Sequence, residues 1–127
     1  MTQTHSPVDI LVAHESWTTG YMMAERLEAV GYRVANVCAL EKGFDALYGL
    51  KPQLVVINAR MPDRAALKLA LAAKARGAKL LVIDDKAKPH ETSFSIRAFT
   101  DAQFLPRRRA RGSMEEAAAA LIGPAAA

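Results

Sequence analysis

The chain has one cysteine in 127 residues, no apolar run near the length of a membrane span, and no tight hairpin signal between its apolar segments. Each shortage removes a class of protein. A lone Cys38 excludes an intramolecular disulfide framework and, with no second thiol beside it, a cysteine-built zinc site. It reads as a small core residue, because nothing near it in sequence would activate the thiol. A bilayer span needs about 20 apolar residues, and "MTQTHSPVD" lacks the basic start and apolar stretch of a secretory signal. The expectation is a soluble cytoplasmic protein with no membrane insertion. Internal repeats, low-complexity linkers and a second composition are also missing. One domain over residues 8–122 is expected, with 1–7 disordered and 123–127 frayed. A chain of this size buries roughly two thirds of the surface that its unfolded form exposes, so it needs no staples.

What is present alternates. "VDILVA" (8–13) is a short apolar run, followed by Ser16 as N-cap and a stripe of Met22, Met23, Leu27 and Val30 closed by Gly31. "YRVANVCA" (32–39) alternates as an edge strand does, and "EKGFDALYGL" (41–50) carries Phe44, Leu47, Tyr48 and Leu50 up to Pro52, which forbids continuation. "QLVVI" (53–57) reads as a strand buried on both faces, and "DRAALKLALAAKARG" (63–77) as an Ala- and Leu-rich helix. "KLLVID" (79–84) is a fourth strand. "HETSFSIRAFT" (90–100) is the weakest helix, short or mobile. "AQFLP" (102–106) is a fifth strand, and "SMEEAAAALI" (113–122) begins with Ser113 and Glu116 in capping-box spacing. Five strands alternating with five helices argue for a doubly wound, flavodoxin-like α/β fold with a five-stranded parallel sheet. In such sheets the working crevice lies beyond the carboxyl ends of the strands, where strand order reverses. That directs attention to Ala13, His14 and Glu15, to Asn58–Met61, to Asp84 and Asp85, and to Arg107.

The series "ILVAHES", "PQLVVINARMP", "LLVIDD" and "QFLPR", with Met61-Pro62 after the third strand and Gly31-Tyr32 before the second, resembles the CheY-like receiver domain of two-component response regulators. The resemblance implies strand order 2-1-3-4-5. It also implies an acidic pair after the first strand that binds magnesium together with a phosphoaccepting aspartate after the third. A Ser or Thr after the fourth strand and a Lys after the fifth then sense the phosphate. Here Ala13 and His14 fall on the acidic pair, Asn58 on the phosphoacceptor, Asp84 on the hydroxyl residue and Arg107 on the lysine. An amide is not a carboxylate nucleophile, and the oxygen ligands that magnesium requires are gone. The chain is similar to a degenerate pseudo-receiver with no catalytic residue and no bound metal. His14 reads as a satisfied loop histidine, and Asp84 as the partner of Arg107 in a charge-assisted pair rather than part of a metal site with Asp85 and Glu15. Trp17, Met22 and Met23 read as core or interface packing.

Charge is uneven. Lys and Arg outnumber Asp and Glu 17 to 13, and Lys86, Lys88, Arg97, Arg107, Arg108, Arg109 and Arg111 face only Glu91 and Asp101 between residues 86 and 111. In a receiver that segment builds the face of helix four, strand five and helix five, which the family uses for partners. A candidate ligand or partner face follows: Lys88, Arg97, Phe104, Pro106, Arg107, Arg108, Arg109 and Arg111. Arginine forks beside apolar surface suit phosphates or guanine edges, although a solvated charge run gives the same pattern. The resemblance implies as occupants cyclic di-GMP, which some CheY-like and pseudo-receiver proteins bind through arginines on this face, or an acidic signalling protein such as a kinase, motor component or output domain. Nucleic acid ranks last, for want of a recognition helix or a row of stacking aromatics. Two alternatives remain: a residual phosphoacceptor using Asp84 or Asp85, and a dimerising domain that pairs through the same face, where like charge opposes a symmetric contact.

Overall fold

The computed structural model describes residues 8–84, 90–105 and 113–125. Its strands are β1 (Ile10–Ala13), β2 (Val34–Val37), β3 (Leu54–Asn58), β4 (Lys79–Ile83) and β5 (Gln103–Leu105). The helices are α1 (Trp17–Ala29), α2 (Leu40–Leu50), α3 (Ala65–Ala75), α4 (Glu91–Phe99) and α5 (Ser113–Ile122). All strands pair in parallel in the order β2-β1-β3-β4-β5. The flavodoxin-like expectation holds, as do the types of all ten elements.

The period-2 pleat of the strands sorts their side chains into two cores. Leu11, Ala13, Val55, Ile57, Leu80 and Val82 face α2, α3 and α4 through Leu47, Leu69, Ala70 and Ile96. Ile10, Val12, Leu54, Val56, Leu81 and Ile83 face α1 and α5 through Ala24, Leu27, Met114 and Ala118. Because β1, β3 and β4 are buried on both sides, they show no polar alternation, the pattern of interior parallel strands. At the edge, β2 is half buried along its whole length.

Local signals act where they were read. Ser16 caps α1, its hydroxyl accepting from the Thr19 N–H at 3.2 Å. Gly31 sits at φ 107°, just beyond the end of α1. Its N–H bonds to the Glu28 carbonyl while the Tyr32 N–H reaches Leu27, the paired closure that a left-handed residue permits. Two expectations are corrected. The buried stripe of α1 is Gly20, Ala24 and Leu27, with Met23 half buried, while Met22 and Val30 are exposed. Small residues inside the helix let it lie close to the sheet and turn the larger side chains outward. Cys38 is exposed, because β2 stops at Val37 and the chain has left the pleat. Beyond α5, the Tyr32 hydroxyl donates to the Gly123 carbonyl at 2.7 Å, and Ala125 packs on the second core. The side chain of Ser113, on which the capping box depends, lies outside the described residues.

At the opposite end of the sheet from the strand C-termini, Asp9 accepts from the Arg33 backbone N–H at 2.8 Å and from its guanidinium at 3.1 Å. Burial pushes the Asp9 carboxyl up, but the two hydrogen bonds and the charge of Arg33 outweigh it and hold the pKa below the usual aspartate value. A lowered folded-state pKa stabilises fully above about pH 3.9 and loses that contribution as pH falls through the folded value. Asp9→Asn is therefore expected to flatten the acid limb of thermal midpoint against pH below about pH 4, measured by melts in a pH series. An unchanged acid limb would remove Asp9 as a source of acid lability.

Candidate functional site

Ladder register brings the strand ends together. Ala13 stands opposite Val37 and Ile57, and Asn58 opposite Ile83. Three more backbone bonds extend the sheet past those ends: His14 N–H to Val37 at 3.1 Å, Ala59 N–H to Ile83 at 2.9 Å, and Asp84 N–H to Leu105 at 3.3 Å. With strands about 4.8 Å apart, residues 13–15, 58 and 84 share one crevice edge. Met61 N–H returns to the Asn58 carbonyl at 3.2 Å and the Met61 side chain is buried, so the loop after β3 folds back onto the core.

Asn58 is 5% exposed and donates through Nδ2 to Glu15 Oε1 at 2.6 Å. A carboxylate only accepts, so this contact sets which end of the amide faces Glu15. His14 Nδ1 accepts from the Ser16 N–H at 2.9 Å. That nitrogen also lies 3.3 Å from Glu15 Oε1. A lone pair already holding an N–H cannot donate as well, so with neutral imidazole the contact is no ion pair. His14 is thus engaged in its own loop.

Asp84 is the centre of a second cluster. Its Oδ2 accepts from the His90 N–H at 2.8 Å and from Ser93 Oγ at 2.6 Å, and its Oδ1 meets Arg60 Nη2 at 3.3 Å. Ser93 is buried. The carboxylate therefore fastens the first turn of α4 to the end of β4. Arg107, the partner expected for Asp84, lies outside the described residues, as do Asp85, Lys88, Pro106, Arg108, Arg109 and Arg111. Among the described residues, Arg60 supplies a guanidinium to Asp84.

Most of the side-chain donors that the described residues bring here are already engaged. Ala13 offers no side-chain oxygen, His14 Nδ1 is committed to Ser16, Asn58 turns its nitrogen to Glu15, and Asp84 is shared among Arg60, Ser93 and His90. Among the described residues no three metal-capable side chains gather at one point.

On the neighbouring face, α4 buries Thr92, Ser93 and Ile96 and exposes Phe94 and Phe99, the reverse of ordinary amphipathic order. Arg97 lays its guanidinium over the Phe104 ring, 4.0 Å from the centroid. Two of the proposed face residues are thereby brought together. Sequence reasoning missed Arg60, His90, Ser93, Phe94 and Phe99. Phe94 and Phe99 were findable, since no helical stripe can bury both together with Ile96. The Arg60 and Ser93 contacts depend on loop paths that spacing does not encode.

Parallel order β2-β1-β3-β4-β5, with α1 and α5 on one face and three helices on the other, is the receiver fold. The chain is similar to the chemotaxis protein CheY4 of Vibrio cholerae, with TM-score 0.78 over 92% of this chain and 100% of that one at 12% identity. It is also similar to a response regulator receiver protein from Burkholderia phymatum, with TM-score 0.76, coverage 95% and 98%, and 16% identity. The receiver domain of a DNA-binding response regulator from Colwellia psychrerythraea 34H gives TM-score 0.76, coverage 91% and 98%, and 14% identity. Likeness at such identities establishes the fold. No family model matches the sequence, and no curated protein matches it. Among the described residues no helix is long and apolar enough to cross a membrane.

Proposed function

We propose that the chain is a phosphorylation-independent signalling module of two-component type, a pseudo-receiver acting in the cytoplasm through its α4–β5–α5 face without chemistry of its own. The observation that carries this reading is the self-satisfied crevice. Asn58 gives its amide to Glu15, and Asp84 fills the place of a phosphate-sensing hydroxyl with a carboxylate already bonded to Arg60, Ser93 and the His90 N–H. A phosphoryl group arriving there would meet no carboxylate nucleophile at Asn58 and would be repelled by Asp84.

The ligand we favour is cyclic di-GMP. Arg97 stacked on Phe104, with Phe94 exposed on the same helix, offers a cation and ring faces to a guanine, and the sequence adds Arg107, Arg108, Arg109 and Arg111 for phosphates. Calorimetry with cyclic di-GMP, with GTP and ATP as controls, is expected to give micromolar or tighter binding of the dinucleotide alone. Binding should be lost in Arg108→Glu with Arg109→Glu and weakened by Arg97→Ala. Beryllofluoride with magnesium is expected to leave the protein's spectrum and its binding unchanged. No heat with any nucleotide would hand the basic face to an acidic protein partner, and a response to beryllofluoride would overturn the pseudo-receiver reading.

A further inference from the structure

One exposed flank of α1 is unusual for a surface helix. Trp17, Tyr21 and Met22 are each more than half exposed at its N-terminal end, and Glu25 and Glu28 follow on the same side. Trp17, Tyr21, Glu25 and Glu28 recur at helical spacing and form one stripe, apolar then acidic. On the opposite face of the sheet, the outer side of α3 carries a second stripe. Arg64 at the N-cap and Lys68 lead to Leu71 and Ala75, basic then apolar, and all four are exposed. Glu25, Glu28, Arg64 and Lys68 make no ion pair or side-chain hydrogen bond among the described residues, whereas Arg26, Arg33 and Arg60 are each paired.

The stripes match in one orientation. Each spans about 16 Å at the helical rise. Laid antiparallel, Trp17 meets Ala75, Tyr21 meets Leu71, Glu25 meets Lys68 and Glu28 meets Arg64. Apolar then faces apolar, opposite charges face one another, and the helix dipoles oppose. In parallel order Trp17 and Tyr21 would cover Arg64 and Lys68 and leave the carboxylates opposite Leu71 and Ala75. A symmetric α1–α1 contact would lay the aromatic rings over Glu25 and Glu28.

We propose that α1 of one copy docks antiparallel on α3 of a second copy, a head-to-tail contact between copies of this chain. Since α1 and α3 lie on opposite faces of the sheet, every copy offers one stripe to each neighbour, and the contact repeats into rings or chains according to its rotation. The surface is distinct from the α4 face of the proposed function and does not depend on it. A three-turn helix contact falls at the small end of specific interfaces, so association in the micromolar range is expected.

Sedimentation velocity over a concentration series tests the contact, with two variants that leave the aromatic residues in place. Arg64→Glu with Lys68→Glu makes both stripes acidic, and Glu25→Lys with Glu28→Lys makes both basic. Wild type is expected to gain mass with concentration and to lose it in high salt, and each variant alone to stay monomeric with unchanged circular dichroism. An equimolar mixture of the two is expected to associate again, because the basic α1 of one variant matches the acidic α3 of the other. A wild type that is monomeric throughout, variants that self-associate as wild type does, or a mixture of folded variants that fails to recover would each overturn the proposal.

Discussion

Asp84→Ala is expected to cost about 2–4 kcal/mol and to loosen α4 while leaving the centre of the sheet intact. Two donors and a cation converge on this one nearly buried carboxylate: the Ser93 hydroxyl, the His90 N–H and Arg60. Removing it strands the two donors and takes one partner from Arg60. The buried Ser93 hydroxyl and the helix-start N–H lose a charge-assisted acceptor, and Arg60 loses its opposite charge at a quarter-exposed site. Asp84→Asn keeps the shape but surrenders the charge, and should cost less. Ser93→Ala removes one donor and should cost about 1–2 kcal/mol. Chemical denaturation gives the totals, and hydrogen exchange locates them: amides of Glu91–Phe99 should exchange faster in Asp84→Ala, while those of Leu54–Asn58 hold. Unchanged protection in α4 would mean that the carboxylate does not fasten the helix. The result bears on signalling as well. A hydroxyl at this place can move toward a phosphoryl group and away again, whereas a carboxylate already holding α4 has one stable arrangement. Under the proposed function, the α4–β5–α5 face would then be presented constantly, in keeping with a module that takes its input from a ligand.

Most of the fold was legible because its signals are local or periodic. Runs such as Leu54–Ile57 and Leu80–Ile83 can be buried on both faces only inside a parallel sheet, and Ser16, Gly31 and Pro52 punctuate the chain by backbone chemistry that acts within a few residues. The phase of α1 was not legible. Hydrophobicity ranks Met22 and Val30 above Gly20, and only the proximity of β2 makes a glycine the inward residue. Cys38 failed for a related reason, since its burial hung on one more residue of strand than β2 has. In the crevice, the sequence placed Asn58, Asp84 and His14 at the strand ends. Which partner each takes is a matter of side-chain reach across loops, and the contact of Arg60, two residues past Asn58, with Asp84 is not encoded in spacing.

Gly20→Ala is expected to destabilise the protein by about 1–2 kcal/mol, although alanine is worth about 1 kcal/mol over glycine within a helix. A Cβ at position 20 would stand 2.5 Å from Asn36 Oδ1 and 3.3 Å from His14 Cβ, inside the distance that side chains tolerate. The obstacle is a short side chain on β2 with both amide atoms buried and no hydrogen-bond partner among the described residues. Asn36 thus carries a desolvation cost of about 1–3 kcal/mol without return, while filling the space under the helix. Asn36→Ala removes the unpaired amide and opens room in one step, and is expected to be neutral or stabilising. Combined with Gly20→Ala, it should let the helix keep its propensity gain, so the double variant should exceed the sum of the singles by about 1–3 kcal/mol. A urea denaturation cycle measures this directly. Strict additivity would show that the two residues do not share the space, and a stabilising Gly20→Ala alone would show that α1 stands farther from β2. Strong coupling would identify the α1–β2 contact as the place where stability is given up for close approach. It would also explain why the large residues of this helix, Trp17, Tyr21 and Met22, are turned outward where a second molecule can reach them.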